Sequence, residues 1–137
     1  MRRTYVAFLR EVQRLTNGAS PVTIMIDFEQ SCIGAIPIVF PRTTVFGCLF
    51  HLCKSVFKRG QNEGLQELYT NNEEFRNNIR MIGALALVEL DDVIMAFEAL
   101  SDHCQGDEQV ILDYFETNYI GELRRGRRRR PRFAREL

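Results

Sequence analysis

Pro21 opens a short run of Val22, Thr23, Ile24, Met25, Ile26 and Asp27, and this run constrains the fold more than any other stretch of the chain. β-branched and apolar side chains dominate it without alternation, which predicts a strand over 22–27 buried on both faces. Ahead of it, Tyr5, Phe8, Leu9, Val12 and Leu15 fall at helical spacing with Arg10, Glu11 and Arg14 opposite, and Asn17-Gly18 supplies a stop. A helix joined to a strand by a short Gly/Ser/Pro turn is the sign of an α/β unit. The strand ends in an acid, so it delivers the Asp27 carboxylate to the edge of a sheet. The residues leave two roles equally open for Asp27, a catalytic acid or the N-cap of the turn that follows. Glu29 reads as a first-turn glutamate favoured by the helix dipole, and it also sits close enough to Asp27 to be a supporting acid behind it.

Beyond the strand the pattern is mostly helical. A short helix is expected over 29–36, with Cys32, Ile33 and Ile36 inward and Pro37 breaking it. Residues 38–40 and 43–46 read as extended on either side of Pro41. Residues 48–59 form a two-faced helix: Leu49, Phe50, Cys53, Val56 and Phe57 make its apolar side, and His51, Lys54, Ser55 and Lys58 make one polar, basic stripe. Leu65, Leu68 and Tyr69 mark the next helix. Asn71 with Glu74 suggests a cap for a helix burying Phe75, Ile79, Ile82 and Ala86. Leu90, Val93, Ile94, Phe97 and Leu100 follow, behind Asp91 and Asp92. Val110, Ile111, Tyr114, Phe115 and Asn118 form the last stripe, ended by Gly121.

At 137 residues the chain is about one domain by the usual prior of roughly 100–200 residues. No apolar run approaches the ~20 residues that span a bilayer, and the polar interruptions after Tyr5 exclude the apolar core of a signal peptide, so the chain is expected to be unsecreted and intracellular. Without secretion, Cys32, Cys48, Cys53 and Cys104 read as free thiols. Cys48, His51, Cys53, His103 and Cys104 lack paired knuckle spacing, which argues against structural zinc. The formal net charge of zero conceals a division: residues 1–122 carry ten basic and 17 acidic side chains, whereas residues 123–137 carry eight arginines and one glutamate. Such a block of like charge is expected to be a solvated, flexible tail. Three segments result: 1–60, an α/β core; 61–122, a helical region; 123–137, the tail.

Asp27-Phe28-Glu29, a short helix, Phe40-Pro41 and then Gly47-Cys48-Leu49-Phe50-His51 resemble the block around the second catalytic aspartate of Mutator-like element (MULE) transposases. Gly64-Leu65 with Tyr69, Phe75-Arg76, Ala84-Leu85-Ala86 with Asp91-Asp92-Val93, and Tyr114-Phe115-Glu116 with Tyr119-Ile120-Gly121 resemble later blocks of that family in the same order. Pro131-Arg132-Phe133 closes the series. The resemblance implies a mostly helical α/β fold: a partial ribonuclease H-like core, ordered helix–strand–helix–strand–helix, followed by an α-helical insertion. It implies that Asp27 is the second acid of a DDE triad, and that Cys48 and His51 are the family's Cys-x-x-His pair.

In a complete family member, Mg²⁺ or Mn²⁺ held at Asp27 and its partner acids drives in-line attack on a phosphodiester. The first and third acids fall on no residue of the match, and Glu116 and Glu122 lie in the insertion-like block. The chain is therefore expected to be an internal fragment of a transposase, with no metal and no catalysis of its own. The alternative is a domesticated, transposon-derived, noncatalytic DNA- or protein-binding module. The expected partner is DNA, bound weakly and without sequence preference through Arg124, Arg125, Arg127, Arg128, Arg129 and Arg130, with a smaller share from Lys54 and Lys58. Self-association through an exposed sheet edge is expected, membrane contact is not, and the resemblance implies a nuclear location.

Overall fold

Thr23–Ile26 forms strand β1 and Thr44–Gly47 forms β2, and the two pair in parallel, with Ile24 opposite Val45 and Met25 opposite Phe46. The computed structural model describes residues 1–137, which divide into two units: 1–48 with Leu137, and 49–136.

In the first unit, helix α1 (Arg2–Leu15) precedes β1 and ends as its sequence dictates, with Asn17 and Gly18 both at positive φ. Two single-turn helices, α2 (Gln30–Ile33) and α3 (Ile36–Val39), lie between the strands. The expected helix over 29–36 is therefore two helices. Gly34 and Ala35 interrupt it, and Pro37 sits in the first turn of α3, where a missing N–H costs nothing. Ile38–Phe40, expected as extended, falls in and just after that turn for the same reason. Ile26, Ile36, Val39 and Phe40 form the core, with Val6, Leu9, Ile24 and Val45 packed around it.

The expectation of a strand buried on both faces fails at Met25, which is 72% exposed, and Phe46 beside it is also exposed. Helices cover only the Ile24/Ile26 side, because α2 and α3 are four residues each and both turn to that side. Phe8 and Leu15 of α1 stay exposed for lack of a long enough partner.

The second unit is all-helical apart from one hairpin. Its helices are α4 (Leu49–Asn62), α5 (Gln66–Asn71), α6 (Glu73–Ala84), α7 (Val93–His103) and α8 (Gln109–Phe115). The boundary expected at residue 60 falls inside α4. Leu52, Val56 and Gly60 form the buried stripe of α4, in place of the expected Leu49, Phe50 and Cys53. Small residues decide that rotation. Gly60 lets the Ile111 side chain within 3.3 Å of the space a Cβ would fill, and Gly83 of α6 admits the Cys53 sulfur at 2.9 Å from such a position. Phe50 is left 67% exposed.

Asn72, one residue after the expected Asn71, caps α6 by accepting the Phe75 N–H at 2.9 Å. Phe75, Ile79 and Ile82 are buried as their spacing predicts, but Ala86 lies past the helix end and is exposed. Asn78 is buried in that stripe as well, donating to Glu108 Oε1 at 2.8 Å and so tying α6 to the start of α8.

After α8 the helix widens into one π turn, Glu116–Ile120, and Gly121 stops it at φ +97°. The turn points Tyr119 inward, between Phe115 at 5.0 Å and Phe133 at 5.6 Å between ring centroids. The Tyr119 hydroxyl meets Ser55 Oγ at 2.9 Å. Burial pushes this phenol up to about 12 against an opposing hydrogen bond from Ser55, so the folded chain favours its protonated form.

Residues 123–137, expected as a flexible tail, carry structure. Strands β3 (Leu123–Arg124) and β4 (Arg127–Arg128) pair antiparallel, and Phe133 is buried. Main-chain bonds strap the segment down, from Phe133 N–H to Asn118 O at 2.8 Å and from Arg129 N–H to Glu122 O at 2.9 Å.

Gly121 is the hinge of this strap. A Cβ there would collide with the Arg129 carbonyl oxygen, a backbone atom, and the φ disfavours any side chain. Gly121→Ala should lower stability by more than ~1 kcal/mol. Gly64→Ala, also at positive φ but with nothing within 4 Å, should cost less. Calorimetric melting of both variants checks this; equal losses would refute the collision.

Candidate functional site

Asp27 is exposed immediately beyond β1. The last β1 carbonyl, that of Ile26, accepts the Cys48 N–H at 2.8 Å, so Asp27 stands at the C-terminal end of the paired strands. A tight turn follows, in which the Glu29 N–H donates to the Asp27 carbonyl at 2.9 Å. The turn leaves Glu29 extended, at φ −102° and ψ 107°, which is N-cap geometry. Glu29, not Asp27, is therefore the cap. Its Oε2 accepts the Cys32 N–H at 2.7 Å and its Oε1 the Ser31 N–H at 3.2 Å. The expectation of a first-turn glutamate is corrected, since Glu29 stands just before the first turn, and the Asp27 carboxylate is left out of the cap.

Tyr5, from α1, completes this corner, where its phenol and the Glu29 carboxyl act on each other. The Glu29 charge is the main reason the Tyr5 phenol is held above its ordinary range, with burial, Cys32 and Asp27 adding to it. Desolvation raises the Cys32 thiol, and Glu29 and Asp27 push it further up. Desolvation also pulls Glu29 upward, but the hydrogen bonds from Cys32, Ser31 and Tyr5 outweigh it and hold the carboxyl below its usual value. No signal in the sequence links Tyr5 to the Asp27 corner; the packing of α1 on α2 and α3 does so.

A two-metal centre needs several carboxylates around ions ~3.5–4 Å apart. No three His, Cys, Asp or Glu side chains gather as metal ligands anywhere in the chain, and both Glu29 oxygens are occupied by the cap. The residues present do not fit such a centre. The four cysteines are free thiols.

Cys48 and His51 fall in different units, Cys48 at the end of β2 and His51 on α4. His51, Lys54 and Lys58 are exposed on α4; the His51 ring meets Phe50 edge-on at 5.4 Å, and Lys54 Nζ lies 6.0 Å from the Phe50 ring centroid. Ser55 departs from the expected stripe, because its hydroxyl turns in to Tyr119 and the Leu52 carbonyl.

Among the arginines, Arg128 is turned inward. Its side chain is 12% exposed and bridges Glu98 and Glu116, both at 2.7 Å, while also donating to the Gly121 carbonyl. Arg124 pairs with Glu122 at 2.7 Å. Arg125, Arg127, Arg129 and Arg130 are exposed and join none of the ion pairs. Arg128 is thus a structural cation, although its place in the arginine run marked it as a phosphate contact.

The lowered carboxyl of Glu29 gives the corner a pH dependence. Its cap contributes fully above pH 4.5, the ordinary value, and is lost as pH falls through the lower folded value. Glu29→Gln should lower the melting temperature at neutral pH and flatten the acid limb of the melting profile below pH 4.5. An unchanged acid limb would show that the cap contributes nothing.

No curated protein and no solved structure matches this chain. A family comparison does give a match, spanning the first unit and the first two turns of α4, the part that holds Asp27, Cys48 and His51. Residues 1–55 match the MULE transposase domain family, whose resemblance the motifs around Asp27 and Phe40-Pro41 carry.

Proposed function

We propose that this chain takes part in DNA transposition of the MULE type, with Asp27 as one acid of a DDE centre built on a ribonuclease H-like core. The observation that carries the reading is the match over residues 1–55 together with an exposed carboxylate at the C-terminal end of a parallel strand. In a complete centre of this kind, Mg²⁺ or Mn²⁺ supplies the activation of water or a 3′-hydroxyl. The Glu29 cap and the absence of a gathered ligand set favour a chain that does not cleave DNA by itself. The same observations are what a noncatalytic, domesticated DNA- or protein-binding module would present, and the two readings share the arginine-rich surface as their DNA contact. Location in the nucleus follows from this role. No helix is long and apolar enough to cross a membrane. Self-association belongs to the reading too, because β1 has a neighbour on one side only.

Two measurements test it. Incubated with supercoiled plasmid and Mn²⁺, the full chain should nick no more than the Asp27→Asn variant. Metal-dependent nicking abolished by that variant would mean an acid besides Asp27 reaches the site. In DNA binding, exchanging Arg125, Arg127, Arg129 and Arg130 for glutamine should remove most of the affinity. Lys54→Ala with Lys58→Ala should remove less. Substitution is preferable to deletion, because removing 123–135 also takes away buried Phe133 and the Arg128 bridge. A chain that binds no duplex DNA at low salt would defeat the reading.

A further inference from the structure

The hairpin alternates its side chains, so Leu123 and Arg128 share one face and Arg124 and Arg127 the other. On the first face Leu123 is exposed but Arg128 is fixed. Arg128 spends its guanidinium on Glu98, Glu116 and the Gly121 carbonyl, and lies 5.8 Å from the Phe97 ring centroid. The turn is fixed as well, since Arg125 at φ 50° and Gly126 at φ 74° have the paired positive angles whose twist suits a two-residue hairpin.

The second face is strained electrostatically. Arg124 and Arg127 stand directly across the ladder, at a typical Cβ separation of ~4.5–5.5 Å, and like charges so placed destabilise a hairpin. Glu122 relieves Arg124 alone. An open hollow of about 630 Å³ is lined entirely by Arg124, Arg125, Arg127, Arg128 and Arg129. Guanidinium forks match phosphate oxygens two at a time, and a two-stranded ribbon is narrow enough to enter the major groove of a duplex. Leu123 is the hairpin's one exposed large apolar side chain, too little for a lipid surface.

We propose that β3–β4 is a preorganised clamp for the backbone of duplex nucleic acid, with Arg124 and Arg127 as its contact face. Arg128 is the positioning residue that holds the clamp through Glu98 and Glu116. This rests on the DNA-handling reading above, and adds that a folded hairpin makes the contact.

Anisotropy of a labelled duplex of arbitrary sequence, titrated with the full chain over a range of salt, tests it. Arg127→Gln should weaken binding and lower the log–log salt slope by ~0.9, one phosphate contact. Glu98→Gln with Glu116→Gln raises the net charge by two, yet should weaken binding at least about threefold and lower the slope, because the clamp loosens. Glu122→Gln, which frees Arg124, should tighten it. Gly126→Ala changes no charge and its Cβ meets nothing within 4 Å, but it strains the turn and should also weaken binding; it decides the matter if the double variant unfolds by circular dichroism. Tightening by the Glu98/Glu116 pair with no effect at Gly126 is what charge alone dictates, and would overturn the clamp while leaving DNA binding intact. Binding to anionic vesicles with none to duplex would instead overturn the DNA-handling reading itself.

Discussion

The Arg128 guanidinium, held between Glu98 and Glu116, is the contact on which the organisation of the second unit's C-terminal half depends. It lies against Phe97 and beside the Gly121 carbonyl, so it joins α7, the π turn and the hairpin in one place. A half-buried cation is tolerable only if its donors are matched, and here two carboxylates and a carbonyl match them. With Arg128 fixed, Tyr119 and Phe133 can stack, and the arginines on the other hairpin face are held outward. The desolvation that raises Arg128's cost is what makes its two acidic partners necessary.

The first unit is organised by a different constraint. Parallel strands are ordinarily covered on both faces by their crossover helices, and here the crossover is two single turns that cover one. Ile24, Ile26 and Val45 find a core while Met25 and Phe46 face outward. The same short crossover makes the Asp27 corner. With almost no length to spend between β1 and α3, the chain turns at once after Asp27, and Glu29 must satisfy the N–H groups of α2. A carboxylate used in that way is a poor metal ligand, and the exposed acid next to it is left without a matching partner.

Much of this was legible in the residues. Apolar spacing located Phe75, Ile79 and Ile82 on one helix and Val93, Phe97 and Leu100 on another, because a stripe that must be buried marks its own helix. Gly121 announced a helix end, and the acid after Ile26 announced an exposed carboxylate at a strand end. The misreadings share a cause. Pro37 can end one helix or begin the next, and Asn71 and Asn72 are equally good caps; only the chain's path chooses. Leu49, Phe50 and Cys53 looked like the core of α4, but close approaches at Gly60 of α4 and Gly83 of α6 set its rotation. The arginine run looked like solvated charge because the carboxylates that hold Arg128 come from elements 12 and 30 residues away.

Local sequence by itself determined the mostly helical α/β character, the strand that ends at Asp27 and the division of charge, since periodicity, turn chemistry and like-charge blocks act over a few residues. Tertiary structure alone decided which acid caps and which stays exposed, which side of α4 is buried, and which arginine becomes an anchor while its neighbours remain on the surface. Those choices depend on close approaches between distant segments, at Gly60, Gly83 and Gly121, and on which buried donors find acceptors. No short window of sequence contains both partners.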